Sequence, residues 1–117
     1  MICDEAARIE DSLLASVSPA LATTNGRLIA LSTPFGKRGW FYKAWAFGGE
    51  SWARYALRAD QCPRISKEFL DEELRQHGEF LFGQEYRCEF LDPESAVFSS
   101  ALIEAAFADE SVRPLWE

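Results

Sequence analysis

The sequence predicts an α/β fold in which parallel strands are flanked by helices. Three observations carry that reading. An apolar start, Met1-Ile2-Cys3, runs straight into Asp4-Glu5. A continuous apolar run, Leu28-Ile29-Ala30-Leu31, ends in Ser32-Thr33-Pro34. Between the two lie roughly 25 residues with a helical pattern, the length a crossover between parallel strands requires. An unbroken apolar run suits a strand buried on both faces, as in a parallel sheet covered by helices. Both segments therefore read as strands of one sheet, with Asp4 and Ser32 at the same edge.

The elements follow in order. The first strand is at the short limit for strands, and we expect it and the chain before it to have been cut. Ile9, Leu13, Leu14 and Val17 recur at helical spacing, giving a helix over about 6–18 that Pro19 helps to end. Asn25-Gly26 is a turn. After the second strand comes a loop, Gly36-Lys37-Arg38-Gly39. Trp40, Phe41, Ala44 and Trp45 then form a helical apolar face, broken by Gly48-Gly49. Trp52 to Leu57 alternates as a strand would. Ser66 caps a helix running to about Gln76. A further helix places Phe82, Tyr86 and Phe90 on one core or docking stripe and ends at Asp92-Pro93. A short extended piece from Val97, a helix near Ala101–Phe107 and a loose end complete the chain. The domain boundary falls between 1–92 and a helical linker, 93–117.

Composition limits the options. A chain of 117 residues makes one small domain. With 48% hydrophobic and 14% aromatic residues it is not disordered. Net charge is −7, and its distribution is uneven: residues 1–65 hold eight basic and six acidic side chains, residues 66–95 three and nine. Such a chain is not a free-standing nucleic-acid binder; near DNA, another part of an assembly would supply much of the positive surface. Cys3, Cys62 and Cys88 are odd in number and widely spaced, so reduced thiols are expected rather than zinc or disulfides. No apolar stretch approaches the roughly 20 residues of a membrane span, and no secretion signal is visible.

Two motifs could carry chemistry. An acidic pair at a strand tip, Asp4-Glu5, can aim one carboxylate at Mg²⁺ and the other at the water that attacks a γ-phosphate. It can equally be a helix cap. Ser32 and Thr33 could hydrogen-bond a phosphate or that water, or could form an ST-turn before Pro34. Ligands of open parallel sheets bind at the carboxyl ends of strands, so the shared edge strengthens both. Lys37 and Arg38 could touch DNA, phosphate or a neighbouring subunit, though a solvated loop is favoured. Asp71, Glu72, Glu73 and Glu85 read as a solvated helical face rather than a metal cluster. His77, the single histidine, has no sequence-adjacent partner and is assigned no role.

The segments DEAARI (4–9), LIALSTPFGKRGWFYKAW (28–45) and FGQEYRCEFLDPESAVFS (82–99) together resemble the large subunit of tailed-phage DNA-packaging terminases. The resemblance covers nearly the whole chain, in the family's order. It implies a partial RecA-like P-loop ATPase fold followed by a linker toward a nuclease domain. Asp4 would hold Mg²⁺, directly or through water. Glu5 would be the catalytic carboxylate, and Ser32 and Thr33 would belong to the coupling motif. It further implies ATP as cofactor, and double-stranded DNA, a portal protein and a small terminase subunit as partners. The motor would be a homo-oligomer in the cytoplasm of a bacterial host, with no membrane association.

Departures from the family matter as much. No G-x-x-x-x-G-K-[ST] loop occurs in the 117 residues, and Gly36-Lys37-Arg38-Gly39 does not replace it. The acid cluster of the family's RNase H-like nuclease is also lacking. We therefore expect this chain alone neither to hydrolyse ATP nor to cut DNA, and to associate through its bare sheet edge. Two other readings stay open: a piece of a helicase-like P-loop ATPase, and a non-enzymatic prophage remnant or assembly module. Phe41-Tyr42-x-x-Trp45 and the Gln84–Phe90 segment argue against the helicase.

Overall fold

A computed structural model of the chain describes residues 1–92, 98 and 100–108. The chain is mostly helical around a two-stranded parallel sheet. Strand β1 is Ile2–Cys3 and β2 is Ile29–Ala30, with Ile2 opposite Ile29 and Cys3 opposite Ala30. The Ile29 N–H donates to the Met1 carbonyl and the Leu31 N–H to the Cys3 carbonyl, both at 2.9 Å. The expected parallel crossover is therefore present.

Its helix differs from the expectation. Instead of one helix over 6–18, a 3-10 turn at Ala6–Arg8 precedes helix α1 (Asp11–Val17) and helix α2 (Pro19–Thr24). Pro19 does not close the crossover helix; it opens a second one at the first helical position, where its missing N–H costs nothing. Asn25, left-handed at φ 48, caps α2 in the expected turn.

The sheet is also barer than the apolar run suggested. Strand side chains alternate between faces, so Ile2, Ile29 and Leu31 share one face. They are 69%, 51% and 51% exposed. Helices therefore do not cover both faces, and a two-stranded ribbon relies on what packs below it. That support is Ala6, fully buried, whose N–H donates to the Leu31 carbonyl at 3.0 Å and extends the ladder beyond the strand ends.

Helix α3 (Gly39–Phe47) forms where the aromatic spacing predicted it. Trp40 is buried against Trp52 and Phe41 at ring separations of 6.5 and 6.0 Å. The segment 52–57 is not the expected strand. It has no ladder partner, and Arg54 instead pins it to the end of α3, donating to the carbonyls of Trp45 (2.6 Å) and Gly49 (2.7 Å). A cation over the last helical carbonyls is well placed against the helix dipole.

Helix α4 (Lys67–Tyr86) starts with Ser66 accepting from the Phe69 N–H at 3.1 Å, the expected N-cap. It then doubles back at Gly78, whose φ 77 and ψ 169 are not helical. In a straight helix Phe69 and Tyr86 would lie about 25 Å apart; their rings are 6.2 Å apart. The two halves are a hairpin, closed by that ring contact and by the Tyr86 hydroxyl donating to Glu73 (2.7 Å); on its own arm Tyr86 stacks on Phe82 (5.0 Å). Glu73 also pairs with His77 at 3.4 Å. Their i,i+4 spacing places them on one face of the helix.

The hairpin ends at Tyr86, before Asp92, so Phe90 does not continue the Phe82–Tyr86 stripe. The chain turns over Gly83, whose carbonyl accepts from Arg87 (3.2 Å) and Glu89 (3.0 Å). A Cβ on Gly83 would lie 2.5 Å from the tip of the Glu89 side chain, which would have to swing aside. Phe90 then packs on Tyr42, Phe41 and Trp45 of α3 at 5.2, 6.1 and 6.1 Å. Helix α5 (Ser100–Ala108) matches the expected helix near Ala101–Phe107. Pro93, the extended piece at Val97 and the loose end to Glu117 lie outside the described residues. Among the described residues no helix is long and apolar enough to cross a membrane.

Two predictions follow from the hairpin. Gly78→Ala forces a side chain into a region that only glycine occupies readily, at a cost of about 1–3 kcal/mol. A lowered urea midpoint is expected; an unchanged midpoint contradicts the hairpin. Glu73 and burial raise the Tyr86 phenol to about 12. A raised pKa stabilises the fold fully below the unfolded phenol's pKa of about 10 and is lost as pH rises through about 12. An ultraviolet phenolate titration should contain a component near that upper value. It should move down in Glu73→Gln.

Candidate functional site

Because β1 and β2 are parallel, the residues that follow them leave the sheet at one edge. Asp4-Glu5 and Ser32-Thr33 meet there, as the sequence proposed. The Ala7 N–H donates to Ser32 Oγ at 3.2 Å, tying the second motif to the turn after the first. Asp4 Oδ1 accepts from the Glu5 N–H at 3.0 Å. Glu5 itself is left-handed, with φ 50 and ψ 39. A non-glycine residue in that region costs about 1–2 kcal/mol, and such strain clusters where a side chain must be aimed.

Two residues complete the edge that sequence reasoning did not select, Arg8 and Glu85. Thr33 Oγ1 donates to Glu85 Oε2 at 2.8 Å across 52 positions of sequence. Arg8 donates to Glu85 Oε1 at 3.4 Å and lies 3.6 Å from the Glu5 carboxylate. Its guanidinium also sits 4.3 Å over the Phe35 ring, an arrangement that favours arginine over lysine. Glu85 is thus not part of a solvated helical face. The hairpin in α4 turns its last turn toward the sheet, which no period within α4 could reveal. Among the described residues no three of His, Cys, Asp and Glu gather as a metal site.

Magnitudes separate anchors from trimmings. The Glu5–Arg8 pair is more than half exposed on the glutamate side and is worth little. The Thr33–Glu85 bond is half-buried and charge-assisted, which places it among the stronger hydrogen bonds. Lys37 pairs with Asp92 at 3.3 Å, and Arg38 also lies over Phe35, at 4.8 Å. Both remain exposed, in keeping with the favoured solvated loop, though each has a partner.

Helix α3 is fixed to the same edge by Asp11. Its Oδ1 accepts from the Trp40 N–H at 2.7 Å, and its Oδ2 faces Lys43 at 3.2 Å. The carboxylate opens α1 and caps the first turn of α3 at once. Trp40 Nε1 donates to the Ile9 carbonyl at 3.1 Å, a second tie in the same place. The edge therefore cannot shift without α3.

The Trp40 N–H and Lys43 hold the Asp11 carboxyl below its ordinary range. A depressed pKa stabilises the fold above the unfolded carboxyl's pKa, and that stabilisation is lost as pH falls through the folded value. In Asp11→Ala the urea midpoint should be lower at neutral pH, and the gap from wild type should close below about pH 4. A gap that persists in acid contradicts the cap.

No protein-family model, curated protein or solved structure matches the chain.

Proposed function

We propose that this chain is the second half of the motor ATPase core of a phage terminase large subunit, part of an ATP-driven machine that packages double-stranded DNA. The observation that supports this most is the parallel register of β1 and β2, after which Asp4-Glu5 and Ser32-Thr33 leave the sheet together. The exposed face formed by Ile2, Ile29 and Leu31 suits a sheet completed by further elements. In this reading the phosphate loop lies outside these 117 residues, and the chain alone is inactive.

The residues divide the work. Asp4 uses one carboxylate oxygen for the Glu5 N–H and keeps the other for a cation. A single donor of this kind suits Mg²⁺, which keeps much of its water and draws on substrate phosphates. Bound there, Mg²⁺ would neutralise charge on the β- and γ-phosphate oxygens. Glu5 polarises the attacking water. Ser32 and Thr33 hydrogen-bond that water or the γ-phosphate, and α3 follows directly, so a change in their contacts moves the helix. The ring would dock on a portal protein and receive DNA from a small subunit, in the host cytoplasm.

The test joins this chain to the phosphate-loop half that the reading requires immediately upstream of Met1 in the genome. Glu5→Gln should leave ATP binding near wild type and lower phosphate release by roughly 10²-fold or more, the scale of lost acid–base assistance. Thr33→Ala should uncouple DNA translocation from the hydrolysis that remains. An upstream frame without a phosphate loop, or wild-type turnover in Glu5→Gln, overturns the assignment.

A further inference from the structure

Thr33 is the only coupling-segment side chain whose hydroxyl proton is committed to a carboxylate on another element among the described residues. That carboxylate, Glu85, belongs to the last turn of the α4 hairpin and also takes Arg8. A threonine hydroxyl otherwise rotates freely between partners. Donating to a charged acceptor at 2.8 Å fixes its rotamer and leaves its lone pairs as the open side. A hydroxyl that donates into a strong acceptor is itself a better acceptor, because successive hydrogen bonds polarise one another.

We propose that Glu85 is a positioning residue that acts through Thr33: it holds the Thr33 hydroxyl as an acceptor toward water at the sheet edge and ties that hydroxyl and Arg8 to the α4 hairpin. The inference rests on the hydrolytic reading above. It adds two things to that reading. Thr33 receives a hydrogen bond from the attacking water rather than giving one. The hairpin is also the element that senses the edge, since any shift of Thr33 or Arg8 must displace Glu85. One Glu85 oxygen accepts from Thr33 and the other from Arg8. The Glu85 side chain is 29% exposed, so replacing it by glutamine keeps shape and removes charge.

Two measurements decide it. In the 117-residue chain, Thr33→Val and Glu85→Gln should be non-additive in the unfolding constant by roughly fivefold, as for one hydrogen bond in a cycle. Additive effects overturn the contact. In the chain joined to its phosphate-loop half, Glu85→Gln should lower kcat by roughly tenfold, the worth of one orienting hydrogen bond, with KM nearly unchanged. Glu85→Asp should recover part of the loss, and Glu85→Gln should add nothing in a Thr33→Val background. Loss of a purely structural carboxylate would instead lower kcat alike in the wild-type and Thr33→Val backgrounds. Wild-type kcat in Glu85→Gln overturns this role and leaves the hydrolytic reading intact. A wild-type protein without turnover overturns both, while the stability cycle still reports whether Glu85 holds Thr33.

Discussion

Two residues of β1 run parallel to two of β2, and a parallel pair cannot be closed by a tight turn. The chain must travel the length of the sheet and return, and it does so through α1 and α2. The return brings both strand ends to one edge. From there the ladder continues without strand geometry, through the Ala6 N–H and the Leu31 carbonyl. A slip of one residue would exchange the two faces of the ribbon and turn Ser32 away from Ala7. The placing of Asp4, Glu5, Ser32 and Thr33 is thus a consequence of register more than of any contact among them.

The register is held from outside the sheet, because the sheet is too small to hold itself. The Cα radius of gyration is 18.3 Å. A compact chain of this length would have about 13 Å. Among the described residues, two aromatic groups stand in place of one closed core. One joins α3 to Phe90; the other closes the hairpin through Phe69, Phe82 and Tyr86. Such ring pairs contribute about 0.5–1.5 kcal/mol each beyond their burial. The exposed ion pairs contribute about 0–1 kcal/mol. The aromatic groups therefore hold the elements together, while Arg8, Asp11 and Glu85 set orientation where the elements meet.

This division has a functional side. The sheet edge touches both aromatic groups through single polar residues: α3 through Asp11 and Trp40, the hairpin through Glu85. Few contacts of defined direction join larger bodies, so displacement at the edge moves whole elements instead of dissipating in local repacking. A motor that converts a change at a phosphate into motion needs such connections, and the proposed coupling role of Thr33 draws on them.

Features set by local chemistry were legible in the sequence. The apolar runs announced two strands, the crossover length made them parallel, and Asn25-Gly26, Ser66 and the spacing from Trp40 to Trp45 marked a turn, an N-cap and a helix. The shared edge followed from topology alone. Four features were not decided by local pattern. Trp52–Leu57 alternates like a strand but finds no ladder, and Arg54 claims it for α3. The split of the crossover at Pro19 turned on packing, since proline can end one helix or begin the next. Phe82, Tyr86 and Phe90 share a helical period, yet the return over Gly83 sends Phe90 to another group. Glu85 looked like a solvated acid because its partners, Arg8 and Thr33, lie 77 and 52 positions away. Periodicity reports which face of a helix is buried; it cannot report where a kink at Gly78 aims that face, and only the tertiary structure decided that.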